Sequence, residues 1–416
     1  MRLASDPSTH LTYCSNIHPG ESWMETFTNI DLYVPALRQA LRPGGEFGIG
    51  LRLSDRAARE LQEGRHLQQF SRWLEEHHLY VFTLNGFPYG GFHRTEVKDG
   101  VYQPDWTSSA RVDYTIRLAD ILAHLLPAGI EGGISTSPIS YKPWYPPDAR
   151  DAVFRQGALN LAEVAAHLAA IRDRTGVRIH LDIEPEPDCL LENTAETIDF
   201  FETHLVPLGS AVLADRLDIS DSDARQFVLE YVRVCYDTCH FAVAYEDPDA
   251  ALSRLTEAGL RIGKVQISSA LRVPLSKNES ERRRSLERLA EFMDATYLHQ
   301  VVERLADGTL RHHPDLPEAL AVGPDPEADE WRVHFHVPVF VNHYGEIQST
   351  RDDLERCLHV IREKGLCSHL EIETYTWEVL PADMKLKMSA SIAREFEWVL
   401  SVLDPVPESV EISGNG

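Results

Sequence analysis

The sequence predicts a (β/α)8 barrel with a long insertion between the seventh and eighth strands. Three observations carry that expectation. Eight short runs rich in β-branched and aromatic residues recur along the 416 residues, each followed by a loop and, in most cases, by a pattern of helical period. Most of these runs are apolar almost throughout, as strands covered on both faces must be. The main rival, a doubly wound open sheet, would carry a glycine-rich phosphate loop after an early strand. Here the glycine-rich stretch "RPGGEFGIG" precedes and enters its strand.

The eight runs, in order, are "HLTYCSNI" (10–17), "FGIGLRL" (47–53), "LYVFTLNG" (79–86), "GGISTSP" (132–138), "RIHLDIEP" (178–185), "RVCYDTCHF" (233–241), "GKVQIS" (263–268) and "HLEIETY" (369–375). Between them, 55–77 and 150–176 place apolar residues three and four apart, and the second stops at a glycine, a common helix end. "SDSDARQFVLEYVRVC" opens on good N-cap residues. The insertion, about 269–368, breaks the alternation. Its sequence predicts a long charged helix over 279–307, a Pro/Asp/Gly-rich loop, and an extra apolar run, "WRVHFHVPVF" (331–340). Loops of that length are often functional lids. The chain reads as one domain over 1–405 with a disordered tail at 406–416.

Forty basic residues stand against 65 acidic ones, a net charge of −25, which speaks against nucleic acid as a partner. No apolar run approaches the length of a membrane span, and the N-terminal "MRLASDPSTHLTYC" has no apolar core of a secretory signal. Six scattered cysteines do not make a disulfide framework. The expectation is a reduced, cytoplasmic protein.

A barrel of this kind carries its active site at the C-terminal ends of its strands. Strand five ends in "DIEPEPDC", with Glu184 and Glu186; strand six ends in "YDTCH", with Asp237 and His240. Strand seven offers Gln266, the apolar run in the insertion offers His334 and His336, and strand eight offers Glu371 and Glu373. His10, Asn85, His93 and Lys142 lie near earlier strands. Carboxylates gathered at one place raise one another's pKa, and a divalent cation relieves that. The mixed carboxylate and imidazole set suits Zn²⁺, Mn²⁺, Fe²⁺ or Co²⁺ better than Ca²⁺. Residues two apart in a strand share a face. Either both members of Glu371/Glu373 and of His334/His336 line the pocket, or one of each pair is structural. In "CYDTCH" Cys235 reads as core filling and Cys239 as a neighbour of the site, because the other cysteines lack the spacing of a zinc pair.

The order Glu at strand five, D-x-x-H at strand six, a paired motif after strand seven and Glu-Thr at strand eight resembles the xylose isomerase-like TIM-barrel superfamily. That superfamily includes sugar isomerases, epimerases and endonuclease IV-type enzymes. More narrowly, "HLTYCSNIHPGESW", "DIEPEPDC", "YDTCHFAV" and "HLEIETYTW" resemble the EboE-type metabolite-traffic proteins, associated with secondary metabolism. The resemblance implies that Glu184, Asp237 and Glu373 bind a metal, and that His240 binds a second metal or contacts substrate. Gln266 stands where the mononuclear epimerases have a histidine ligand, which would bring in His334 or His336. Glu184 and Glu373 would then also transfer protons, with His10, Asn85, His93, Lys142, Glu186 and Glu371 as candidate substrate contacts. Isomerisation or epimerisation of a small polar or sugar-like metabolite is the function this implies. Metal-assisted phosphoester hydrolysis and non-catalytic metabolite binding are the alternatives. The candidate partners are a small-molecule metabolite and either a second copy of the chain or proteins of the same pathway.

Overall fold

The computed structural model describes residues 1–93, 97–376 and 388–404. The expected tail at 406–416 lies outside them, as does Trp377, the last residue of the "HLEIETYTW" motif. Seven strands appear in turn: β1 (His10–Tyr13), β2 (Phe47–Arg52), β3 (Leu79–Asn85), β4 (Gly132–Thr136), β5 (Ile179–Ile183), β6 (Val232–Asp237) and β7 (Ile262–Ile267). The insertion follows with β8 (Leu271–Pro274), β9 (Val301–Leu305), β10 (Leu310–His313), β11 (Ala328–Val333), β12 (His343–Tyr344) and β13 (Ile347–Ser349). The chain then re-enters the barrel as β14 (His369–Ile372). The barrel strands are all parallel, in the order β1-β14-β7-β6-β5-β4-β3-β2, and a parallel bridge from Cys14 to Gly50 joins the two ends. This is the (β/α)8 barrel the sequence predicts.

Local signals set the helix boundaries. The pattern over 55–77 divides at Gly64 (φ 57°) into helices Asp55–Gln62 and His66–Glu76. Ser54 caps the first of them by accepting from the Ala57 N–H. Helix Arg150–Thr175 ends on Gly176 at φ 76°, a left-handed position glycine takes without strain. After the insertion, helix Arg351–Lys364 packs between Pro248–Glu257 and Met388–Leu403, so it takes a place in the outer ring.

The barrel interior is unusually polar. Lys264 on β7 reaches Glu371 on β14 at 2.5 Å, with both side chains fully buried. Below them, His180 Nδ1 meets Asp182 at 2.6 Å. Two strand glycines make the space. A Cβ on Gly50 would lie 1.9 Å from Glu371 Oε1, and one on Gly263 would lie 1.8 Å from Asp182 Oδ1.

The insertion departs from its expected form. The charged helix stops at Ala290, and 301–305 form β9, since Val301 and Val302 suit a strand and β9 is paired on both sides. The Pro/Asp/Gly-rich stretch also holds β10 and a helix, Leu316–Val322. Together β10-β9-β11-β8-β13-β12 form an antiparallel sheet beside the C-terminal mouth of the barrel. Among the described residues no helix is long and apolar enough to cross a membrane.

Candidate metal centre

The D-x-x-H motif is a helix start. β6 ends at Asp237, which caps the short helix Thr238–Val243. Its Oδ1 accepts from the N–H groups of Cys239 and His240 and from the Ser268 hydroxyl. Its Oδ2 is buried without any hydrogen-bond donor. One oxygen thus builds the turn that brings His240 round, and the other is left over.

The pair His334/His336 follows β11, with Phe335 between them turned the other way, onto His299 and Phe292. The alternation of an extended chain explains why both imidazoles face the barrel. His240 Nε2 lies 3.1 Å from His334 Nε2, His334 Nε2 lies 3.2 Å from His336 Nε2, and the third side of the triangle is 3.4 Å. Each Nδ1 has an acceptor: the Pro185 carbonyl at 2.9 Å for His240, Gln300 Oε1 at 2.8 Å for His334 and the Glu373 carbonyl at 2.8 Å for His336. Those acceptors place each proton on Nδ1 and turn three Nε2 lone pairs toward one point. Burial disfavours the protonated form of all three rings. It lowers His240 to about 4, and lowers His334 and His336 below the ordinary histidine range. Three nitrogens bound to zinc at the usual 2.0–2.1 Å in a tetrahedron would stand about 3.3–3.4 Å apart. The triangle fits a divalent ion, and its outer hydrogen bonds are those that orient metal-bound histidines.

Carboxylates complete the set. Oxygens of Glu184, Asp237 and Glu373 lie within 4.8 Å of one another, and Asp237 also belongs to a group with His240 and His336. Glu186, which accepts from the Tyr102 hydroxyl at 2.9 Å, forms a further group with His240 and His334. Burial, then the mutual charges of these acids, push Glu184 and Glu373 well above the usual carboxylate range; burial raises Glu186 to about 8. Burial pushes Asp237 the same way, but the imidazoles of His240 and His336 and the Ser268 hydroxyl outweigh it and hold Asp237 low. Glu184 Oε2, like Asp237 Oδ2, has no donor. Orphaned carboxylate oxygens beside three inward lone pairs are what a cation would satisfy. Asp237 could serve both groups.

No protein-family model matches the chain, and no curated protein matches it. Its backbone is similar to that of an L-ribulose 3-epimerase (13% identity, 95% of this chain and 94% of that one, TM-score 0.49). It is also similar to an IolI protein with a bound zinc atom (12%, 95% and 100%, TM-score 0.46). A third is a xylose isomerase-like TIM-barrel protein from Mycobacterium smegmatis in complex with magnesium (13%, 88% and 86%, TM-score 0.44). The likeness is one of fold.

Of the residues singled out in the sequence, Glu184, Glu186, Asp237, His240, His334, His336 and Glu373 come together. Asn85 joins them, its Nδ2 donating to Glu373 Oε1 at 2.9 Å. Gln266 is adjacent on β7, paired in register with Asp237; its Oε1 accepts from the Cys235 thiol and its Nε2 has no acceptor. The others stand apart. Glu371 is taken by Lys264 inside the barrel, because it lies two residues below Glu373 on the same face. His10 opens β1 at the opposite end, against Tyr80 and His369. Lys142 pairs with Glu192 and Glu196. His93 Nε2 donates to the Asn16 carbonyl at 2.5 Å and so supports the wall of the site. Cys239 lies beside His334 and His336, with its thiol on the Phe335 carbonyl. All six cysteines are buried thiols.

Three contributors were not singled out. Asn16 donates to Glu373 Oε1 at 2.7 Å, Ser268 braces Asp237, and Gln300 orients His334. Asn16 and Ser268 follow β1 and β7, a position at strand ends that could have marked them. Gln300 falls within the stretch expected to be helical, which hid its place opposite His334.

Proposed function

We propose that the chain is a metal-dependent isomerase or epimerase of a small oxygenated metabolite, of the xylose isomerase-like kind and, more narrowly, of the EboE type. One observation carries the reading: three imidazole lone pairs and three carboxylates converge at the C-terminal mouth of the barrel, and Glu184 and Glu373 of that set also line the adjoining cavity. A divalent ion held there would bind carbonyl and hydroxyl oxygens and acidify the carbon between them. Glu184, with an oxygen free of donors, takes the proton from that carbon. Glu373, fixed by Asn16 and Asn85, returns a proton to it. Burial and the neighbouring carboxylates shift both acids upward, the direction that makes a carboxylate a better proton acceptor.

The test joins metal content to proton exchange. Elemental analysis and native mass spectrometry of the purified chain should find a divalent ion. Proton NMR in deuterium oxide should then show exchange of the hydrogen next to the carbonyl in a hydroxyketone panel. Glu184→Gln should abolish that exchange, and Glu373→Gln should abolish net isomerisation or inversion, both without unfolding the protein. Full exchange in Glu184→Gln, full turnover in Glu373→Gln, or a chain that holds no metal, would sink the reading.

A second reading, phosphoester hydrolysis, is favoured by one observation: Asp237 belongs to both the imidazole group and the carboxylate trio, which gives the site room for two ions. Two ions per chain together with turnover of p-nitrophenyl phosphate would select it.

A further inference from the structure

The cavity in front of the metal centre has a composition of its own. Its inner end is the ligand set. Its outer wall is built from Phe87, Phe92, Val101, Tyr297, Leu298 and Tyr375. Phe92, Tyr297 and Tyr375 pack against one another with ring centroids 5.2–5.3 Å apart, and Tyr375 lies 4.7 Å from the His336 ring. An aromatic panel thus begins directly at the imidazole triangle. On another side Phe87 meets Tyr102, whose hydroxyl is already given to Glu186. Lys98, the one ammonium among the described residues of the lining, is engaged by Asp315 at 2.6 Å and by the Tyr297 carbonyl at 2.8 Å. Next to the carboxylates one acceptor is left over: Asn16 Oδ1 is buried without a donor, while its amide nitrogen is held by Glu373.

This wall discriminates between ligands. A free sugar presents hydroxyls on every edge, and those turned toward rings and methyl groups would be buried unpaired. A molecule with oxygens at one end and an apolar body at the other satisfies both regions. We infer that the ligand of this site is amphipathic: a metal-chelating hydroxy-carbonyl head with one donor for Asn16 Oδ1, carried on an apolar, preferably planar, body seated against Phe92, Tyr297 and Tyr375. This rests on the metal centre proposed above and names the substrate class it would serve.

The full chain loaded with cobalt provides the test, because the visible spectrum of the ion reports binding without turnover. Acetohydroxamate and benzohydroxamate offer the same chelating head, the second with an added ring. Benzohydroxamate should bind on the order of tenfold tighter or more, since its ring leaves water for the apolar wall. Leu298→Ser and, separately, Phe92→Ser should shrink that ratio and leave acetohydroxamate affinity within about twofold. Equal affinities for the two probes, or a ratio untouched by both substitutions, would overturn the inference and leave the metal centre standing. Failure to bind cobalt or acetohydroxamate would overturn the metal centre and the inference with it.

Discussion

His240 Nε2 and His334 Nε2 stand 3.1 Å apart with both ring protons directed elsewhere, to the Pro185 carbonyl and to Gln300 Oε1. Two lone pairs at that distance repel unless a cation lies between them. The folded chain should therefore be stabilised by metal. Extraction with a chelator is expected to lower the melting temperature by roughly 5–10 °C, and zinc or cobalt should restore it. Scanning calorimetry checks this. An unchanged melting temperature after complete extraction would contradict it.

Gln300 would act on a bound metal through His334, whose Nδ1 it engages at 2.8 Å. Gln300→Leu removes the acceptor that fixes the His334 tautomer, so metal affinity should fall about 10- to 100-fold. Gln300→Glu keeps an acceptor and should lose far less. Competition against a chromophoric chelator measures both, and equal losses would show that packing, not the hydrogen bond, is responsible.

The buried Lys264–Glu371 pair makes a separate prediction about stability. Lys264→Met leaves a carboxylate unpaired in the barrel and should cost about 3–5 kcal/mol in urea unfolding. The double variant with Glu371→Leu should recover most of that loss. Gly50→Ala should destabilise as well, because its methyl would occupy the position of Glu371 Oε1.

Glu395, on helix Met388–Leu403, sets a pH dependence. Burial raises its carboxyl from 4.5 to about 8, against the donors Thr374 and Val339. The folded state binds this proton more tightly than the unfolded state does. The stability it contributes is therefore complete below about 4.5 and is lost as pH rises through 8. Glu395→Gln should flatten the stability profile over that window and be the more stable form at pH 9. A profile unchanged by the substitution would refute this.

The barrel was legible because buried parallel strands are written as continuous apolar runs, and each of the eight predicted strands is present. The candidate site was legible wherever a strand end carries an acid or a histidine, as at Glu184, Asp237 and Glu373. Alternation could not say how deep a residue sits. Glu371 and Glu373 share a face, yet one is locked to Lys264 inside and the other reaches the mouth. Similarly, His10 looked like Asn85 in kind, but it opens its strand where Asn85 closes one. Within the insertion, charged residues over 279–290 give a helix as written, but the same pattern runs on through residues that pair as β9. Long-range pairing decided that segment, and a local period does not report it.

The donors of the imidazole triangle are divided between two parts of the chain. His240 belongs to the barrel, whereas His334 and His336 hang from the inserted sheet. Read in order of synthesis, the candidate ligands emerge as 184, 237, 240, 334, 336 and finally 373. No early fragment owns the complete set, so the proposed centre closes only when nearly the whole polypeptide has been made and the sheet has docked. With the proposed centre in place, metal acquisition would act as a late checkpoint on assembly: a chain whose insertion has misfolded would be left without an ion, and without the stability an ion would confer.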